Sequence, residues 1–396
     1  MPQTETLNDR FMRFETTLSG QYYERVRECR CAVLALLSRR HMFIYGPPGT
    51  AKSQMIRTMA HLISDVGDGG YFQWLLTKYS TPEELFGPPS LPDLEQGRMR
   101  RVTTSKLPEA RIAFLDEIFK GSSSILNTLL TIMNERMFFN GDDRAEVPLS
   151  SIFAASNELP DDEGLNALWD RLLFRFQVDR LRERSNFEAM LISHTGGAEP
   201  EPVVTWDEVT QAQAAVNEVN IPASIYQAMV TLRENLAADG VEPSDRRWVE
   251  TLPVIRAEAW LGGRDQVIVR DLRILRHMLW DRPEDQHPVD RVVLELADPT
   301  EKRVQELLRS LRDLEGEFQK AVDEADDDRA VAKSSVEIHH KLGKIRTEVK
   351  EISAQEDADK IDLLPELRGT FRHVAERLVH EGFGMKNPGD VADLDS

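Results

Sequence analysis

Residues 41–63, HMFIYGPPGTAKSQMIRTMAHLI, decide the fold. The first six, HMFIYG, are a short apolar run ending on Gly46 and read as a buried strand, whereas SQMIRTMAHLI at the other end has helical spacing. The Gly- and Pro-rich segment GPPGTAKS, residues 46–53, has the composition of a tight loop between them. Strand, glycine loop and helix in that order mark an α/β unit. Upstream, Val26, Val33, Leu36 and Leu37 read as a preceding helix. Downstream, FQWLL from Phe72, RIAFLD from Arg111 and SIFAASN from Ser151 read as further buried strands, separated by helical or hairpin-like stretches. Their order predicts an α/β fold with a mostly parallel sheet and helices on both faces.

The rest of the chain has a different texture. Around SHTGGAEPEP, residues 193–202, the composition turns to that of an exposed connector, and from Trp206 to about Arg282 the pattern is helical throughout. The clearest amphipathic segment there is DRRWVETLPVIRAEAWL. Beyond Pro299, three apolar stripes follow: Val304, Leu307, Leu311, Leu314, Phe318 and Ala321; Ile338, Leu342, Ile345, Val349 and Ile352; and Leu364, Leu367, Phe371, Val374 and Leu378. Asp362 is the expected N-cap of the third, with Pro365 in its first turn. Acidic connectors such as DEADDDR join them, so a three-helix bundle or a long helical hairpin is expected. The expected division is an α/β core at 1–192, a connector and helical unit at 193–290, and a C-terminal bundle with an acidic tail at 291–396.

Composition narrows the function. The chain has 396 residues, with 49 Lys and Arg against 68 Asp and Glu, a net charge of −19. That balance argues against a protein that coats nucleic-acid phosphates with its bulk surface. Charged residues at 30% and hydrophobic ones at 41% fit neither a disordered chain nor a membrane protein. No apolar run approaches the ~20 residues of a spanning helix, and the polar opening MPQTETLNDRFMRFE is not a secretory signal. Cys29 and Cys31 cannot build a disulfide framework, so a reducing, cytoplasmic setting is expected.

Five places carry chemistry. A glycine loop opening a helix exposes backbone N–H groups toward one point, where the helix dipole adds positive potential. In GPPGTAKS, Lys52 would sit on the β- and γ-phosphates of a nucleotide and the Ser53 hydroxyl would ligate Mg²⁺. Ala51 stands where this pattern usually has glycine, and alanine fits there where φ is negative. In IAFLDEI, Asp116 and Glu117 close an apolar strand; two adjacent acids there are costly without a cation or solvent. Asp116 would hold Mg²⁺ through water and Glu117 would orient and polarise an attacking water, although a strand running into a helix N-cap has the same pattern. Asn157 in AASNELP is placed either to hold that water or touch the γ-phosphate, or to make an Asn/Pro turn. LWDRLLFRF offers Arg171 and Arg175, one helical turn apart, as a finger supplied to a neighbour's nucleotide or as helix salt-bridge partners. SDRRW puts Arg246 and Arg247 at a helix start, where cations oppose the dipole and so suggest a nearby anion.

Taken in order and spacing, these motifs resemble an AAA+ ATPase. STPEELFGP, LPEARIAFLDEIFK, ILNTLLTIMNERMFFNG, AASNELP, LWDRLLFR and SDRRW resemble the MoxR group, and its RavA-type members closely, which also carry Ala before the lysine. The resemblance covers about residues 7–285 and implies ATP and Mg²⁺ as cofactors. It implies a Walker A loop of Gly46, Pro47, Pro48, Gly49, Thr50, Ala51, Lys52 and Ser53, followed by Gln54, and a Walker B pair of Asp116 and Glu117. It further implies sensor 1 at Asn157, an arginine finger at Arg171 and sensor 2 at Arg246. Two inserts, at about residues 86–106 and 136–148, are implied to line the pore of a ring, most often a homo-hexamer. The second has hairpin character of its own, with Asn140-Gly141 as the turn; Met137, Phe138 and Phe139 either grip a polypeptide there or pack the hairpin. A von Willebrand A-domain protein is the implied partner. The decarboxylase-docking module of RavA itself has no counterpart in the short connectors of the C-terminal stripes. Against the preferred reading of a ring-forming, chaperone-like ATPase stand a nucleic-acid motor of the same clade and a nucleotide-gated scaffold with little turnover.

Overall fold

The computed structural model describes residues 5–67, 69–160, 163–193, 200–323, 328–354, 361 and 363–383. They divide into two compact units, residues 1–289 and 290–396.

In the first unit, α1 (Leu7–Ser19) and α2 (Val26–Ser38) lead into β1 (His41–Tyr45), α3 (Lys52–His61) and the short β2 (Ile63–Ser64). Then come β3 (Tyr71–Leu75), α4 (Pro82–Phe86), α5 (Leu91–Glu95), β4 (Ile112–Asp116) and α6 (Ser123–Glu135). A hairpin of β5 (Met137–Asn140) and β6 (Asp143–Glu146) precedes β7 (Ser151–Ser156), α7 (Asn166–Arg171), β8 (Leu172–Gln177) and α8 (Arg184–Ser193). The central sheet has five strands in the order β3-β4-β7-β1-β8, all parallel. His41 to Ile44, Ile112 to Leu115 and all of β7 are buried, which is why these strands read as continuous apolar runs rather than alternating ones. Helices flank the sheet, and β2 pairs with β9 (Val204–Thr205) in a separate two-stranded ribbon. The helix predicted from Val26, Val33, Leu36 and Leu37 is α2, in which Val33, Leu36 and Leu37 are buried and Val26, at the helix start, is exposed.

The helical stretch after the connector is interrupted rather than continuous. It contains α9 (Trp206–Asn217), α10 (Ala223–Ala238) and α11 (Asp245–Leu261), then a 3-10 segment over Val269–His277. The breaks fall at Pro222, Gly240 and the Gly262-Gly263 pair, residues that stop helices. The α11 segment is buried on most sides, including Arg247, Trp248, Thr251, Val254, Ile255 and Glu258, so it is an interior helix more than a two-faced one. The helix α12 (Gln286–Ala297) runs across the boundary in sequence.

The second unit is a three-helix bundle of α13 (Pro299–Asp323), α14 (Asp328–Ser353) and α15 (Leu364–Arg377), the last continued by a π-helical turn over Leu378–Gly382. Val304, Leu311, Phe318, Leu342, Val349, Leu367 and Phe371 meet in one core, so the three predicted stripes face each other. The predicted N-cap Asp362, much of the two acidic connectors and the acidic tail lie outside the described residues.

The two expected inserts are docked on one another. The Asn140 side-chain amide donates to the Arg101 carbonyl (3.1 Å) and its oxygen accepts from the Arg101 N–H (2.7 Å), as a neighbouring strand would. Phe86 and Phe138 stack with centroids 5.8 Å apart, and Arg100 is paired with Asp143. Gly141 has φ +69°, and a Cβ there would stand 2.2 Å from the Met99 carbonyl oxygen, so only glycine makes this turn. Phe138 is buried by this packing, whereas Phe139 is 49% exposed.

Candidate nucleotide-binding site

The carboxyl ends of the three adjacent strands β4, β7 and β1 carry Asp116, Ser156 and Tyr45, and the chain leaves each toward one edge of the sheet. Ligands of open parallel sheets bind at that edge. The loop after β1 is shaped by its neighbours. The Gly46 N–H donates to the Ser156 carbonyl (3.2 Å), and a Cβ on Gly46 would stand 2.1 Å from the Val178 carbonyl oxygen. Thr50 Oγ1 donates to the Pro47 carbonyl at 2.9 Å and closes the loop. Ala51 is the N-cap of α3 and lies in the left-handed region, φ +63° and ψ +17°, not at the negative φ expected for an alanine. The sharp entry from the loop into α3 requires this conformation, which an L-residue adopts at a cost of about 1–2 kcal/mol. No side chain caps α3, so the first-turn N–H groups of Lys52, Ser53 and Gln54 keep no helical acceptor and face the loop with the positive end of the dipole.

Polar side chains converge in front of that helix. Lys52 Nζ donates to the carbonyls of Gly46 (2.6 Å) and Pro47 (3.0 Å) and to Asn157 Oδ1 (3.1 Å). Asn157 Nδ2 in turn donates to Glu117 Oε1 at 2.7 Å. The Glu117 carboxylate is 9% exposed; it also accepts from Ser156 Oγ (3.4 Å) and pairs with Lys120 Nζ (3.1 Å). Its backbone sits at φ +53°, and its N–H donates to Asp116 Oδ1 at 3.0 Å. Burial raises the Asp116 pKa above the usual aspartate value, with the neighbouring Glu117 adding to the rise and Lys52 opposing it. Burial likewise lowers the Lys52 pKa, against the pull of Asp116 and Glu117. The site therefore holds paired charges that are short of solvent, and each is set to gain from a polyanion with its cation.

Lys52, Asp116, Glu117 and Asn157 are thus brought together as the sequence motifs predicted, and β7 does lie between β4 and β1. Lys120 and Ser156 were missed. Lys120 had a signal, an acid three residues before a lysine in DEIFK; Ser156 had none beyond its place next to Asn157.

The arginines lie elsewhere. Arg171 ends α7, where Nε donates to Asn134 Oδ1 (2.5 Å) and the guanidinium also bonds the Ala167 carbonyl. Arg175 is not one helical turn further on, because the chain enters β8 at Leu172. The run LLFRF is covered on both faces and pairs with β1, and a short fully buried run carries no period that separates strand from helix. The Arg175 side chain is 0% exposed, lies 3.8 Å from the Trp169 ring centroid and donates to the carbonyls of Trp169 and Leu172 and to Asp281. It is a fully buried core residue and is not presented to a neighbour. Arg246 is 50% exposed at the start of α11, while Arg247 is buried and donates to the Met278 and Leu173 carbonyls. A carboxylate of the protein itself, Asp170, lies 4.0 Å from Arg246 and 3.8 Å from Arg247. No hydrogen bond or ion pair among the described residues joins Arg171 or Arg246 to Lys52, Asp116, Glu117 or Asn157.

The donor set suits Mg²⁺ held jointly with phosphates. Among the described residues no group of three or more His, Cys, Asp or Glu side chains could cage a metal by itself. Magnesium in nucleotide sites typically takes one or two protein oxygens and keeps water and phosphate for the rest; Ser53 and Asp116 match that demand.

Comparison with known proteins agrees with this geometry. Residues 10–219 match the family model described as the MoxR domain in MoxR-vWA-beta-propeller ternary systems, and residues 224–293 match an AAA lid domain. An uncharacterised protein of Methanocaldococcus jannaschii is 35% identical over 92% of this chain and 96% of its own length. The chaperone MoxR1 of Mycobacterium tuberculosis is 24% identical over 62% of this chain and 69% of its own. A solved structure from Cytophaga hutchinsonii, assigned as an ATPase, shares the fold with a TM-score of 0.59 at 15% identity, over 74% of this chain and 95% of that one. Fold, lid and glycine loop together define the AAA+ class of ATPases. Within it, this chain belongs to the MoxR family.

Proposed function

We propose that this chain binds and hydrolyses Mg·ATP as a ring-forming ATPase, most often a homo-hexamer, of the MoxR/RavA type. The ring would remodel partner proteins in a chaperone-like manner. The observation that carries this reading is the continuous chain Lys52–Asn157–Glu117 at the carboxyl ends of the three central strands. In it, the backbone N–H groups of Gly49 to Gln54 cradle the phosphates, the loop being shaped by Gly46, Pro47 and Pro48, and Lys52 leaves the Gly46 and Pro47 carbonyls for phosphate oxygens. Glu117 holds and polarises the attacking water, with Asn157 bonded to both Lys52 and Glu117. Mg²⁺, held by Ser53 and Asp116 when bound with nucleotide, supplies the charge that offsets the phosphates. Arg171, and with it Arg246, would reach the nucleotide of the next copy: both are solvent-accessible, Arg246 half-exposed at the start of α11. A finger in trans requires a head-to-tail interface, and closing that interface makes a ring.

The three working parts of this reading are the nucleotide core at 1–192, the helical lid at 193–290 and the bundle at 291–396. The setting is cytosolic, where ATP and Mg²⁺ are supplied. A von Willebrand A-domain protein is the proposed partner, since the matched family model is described from systems that pair the two. Nucleic acid is not an expected partner: in the hairpin and the segment docked on it, Arg100 is paired with Asp143, and Arg144 lies over the Phe139 ring. No helix of the described residues is long and apolar enough to cross a membrane.

Steady-state ATPase assays of the wild type, Lys52→Ala and Glu117→Gln test the assignment. Loss of nucleotide binding in the first variant, and retained binding with turnover reduced ~100-fold or more in the second, is the expected pattern. Turnover that survives Glu117→Gln would remove Glu117 from the reaction. The Glu117→Gln protein held with ATP is then the bait for the A-domain partner.

A further inference from the structure

Arg171 and Arg246 come from different parts of the first unit, one from the end of α7 and the other from the start of α11, yet Asp170 lies beside both, adjacent to Arg171 in sequence and 4.0 Å from Arg246. Asp170, next to Arg171 in sequence, accepts a hydrogen bond from the Ser244 hydroxyl at 2.9 Å. Ser244 is the N-cap of α11, and its Oγ accepts from the Arg247 N–H (3.2 Å), so Asp170 is wired into the first turn that carries Arg246. Its carboxylate lies 4.0 Å from Arg246 Nη1 and 3.8 Å from Arg247 Nε. The Asp170 carbonyl also faces Arg247 Nη2 at 3.5 Å. A carboxylate at the amino end of α11 offsets both the helix dipole and the two arginines that oppose it. The pair is close enough to interact: Arg246 lowers the Arg171 pKa, second only to burial, and Asp170 opposes that effect.

We propose that Asp170 is a positioning residue that holds Arg171 and Arg246 as one bidentate anion clamp, which acts together on the phosphates of the nucleotide in a second copy. This inference rests on the ATPase reading above. Two cations aimed at one polyanion are worth more than their sum only if the distance between them is fixed in advance. Asp170 does this from the backbone segment of one arginine to the helix cap of the other. Asp170 itself touches no substrate.

The test is a double-mutant cycle on steady-state ATP turnover by the full-length chain, with Asp170→Asn measured in the wild-type and in the Arg246→Ala backgrounds. Asn keeps an acceptor for Ser244 and removes the charge. The expected result is a fall in kcat of about tenfold with little change in KM in the wild-type background, and less than about twofold in the Arg246→Ala background. A purely structural role for Asp170 lowers kcat equally in both, and that outcome overturns the proposal, as does no effect in the wild type. Ser244→Ala, which leaves every charge in place, is the second variant: it should show the same dependence on Arg246 if Asp170→Asn fails to fold. If wild-type turnover is normal but Arg171→Ala and Arg246→Ala both leave it unchanged, the finger assignment falls and this proposal with it. If both lower turnover and Asp170→Asn does nothing, only this proposal falls.

Discussion

Replacing Arg175 with methionine separates a core arginine from a functional one. The guanidinium is fully buried on β8 and supplies donors to the Leu172 carbonyl (3.2 Å), the Trp169 carbonyl (2.8 Å), the Trp280 carbonyl and Asp281 (2.5 Å). Methionine fills similar space but donates nothing. Asp281 is half exposed and regains water, and the Trp169 carbonyl keeps Arg247 at 3.4 Å. The Leu172 and Trp280 carbonyls lose a donor they cannot replace in the core, at about 1–3 kcal/mol each. Loss of the cation–π contact on Trp169 adds about 1 kcal/mol. Removing a buried charge returns a few kcal/mol of desolvation, which leaves a net destabilisation of about 2–4 kcal/mol. All six tryptophans precede residue 290, so intrinsic fluorescence in a urea titration reports the first unit alone. The expected result is a lower midpoint with an unchanged slope, and an Arg175→Lys variant that is also weakened because a single ammonium cannot span the same acceptors. A methionine variant within ~0.5 kcal/mol of the wild type would refute the reasoning, because the net cost above is several times larger.

Ala51→Gly should stabilise the protein by up to about 1 kcal/mol, because glycine removes the left-handed penalty at φ +63° and returns part of that gain as unfolded-chain entropy; a lower urea midpoint would contradict this. Asp116→Asn should stabilise the nucleotide-free protein near neutral pH while abolishing Mg-dependent turnover. The folded-state pKa of Asp116 lies above its unfolded value, so ionisation at neutral pH weakens the wild type and a neutral side chain removes that cost. The gain should shrink as the pH falls through that raised pKa and vanish below the unfolded aspartate value; a gain that grows in acid is the opposing result. Asn157→Ala cuts the link between Lys52 and Glu117, and is expected to lower kcat ~100-fold with ATP affinity changed far less; equal losses in both would make Asn157 a ground-state contact.

The α/β core was legible because its strands are buried on both faces and its glycine loop has little freedom: Gly46 is packed against Val178, Lys52 opens α3, and Asp116, Glu117 and Asn157 sit at strand ends whose order the motifs preserve. The bundle was legible for the same kind of reason, three apolar stripes that can be buried only against each other. Arg175 was misread because a short run such as LLFRF has no period once both faces are covered, and its partner strand β1 lies more than 120 residues upstream. The φ of Ala51 was misread because the residue type argues for one conformation and the turn into α3 imposes another. The neighbour of Arg246 and Arg247 was not legible: Asp170 comes from a segment some 75 residues earlier, and no local pattern points to it. Lys120, on the far side of Glu117, follows from DEIFK only after the turn that brings it back is known.

The central claim is that nucleotide is held by one copy and completed by the next. Mixing Lys52→Ala subunits, which lack the lysine of the phosphate loop, with Arg171→Ala subunits, which lack the finger, tests it in one titration of ATP turnover against mixing ratio. Each variant alone should be inactive, and the mixture should recover activity that peaks at intermediate ratios, because some interfaces then join an intact loop to an intact arginine. No recovery at any ratio, in assemblies shown by mass to contain both variants, would contradict the account.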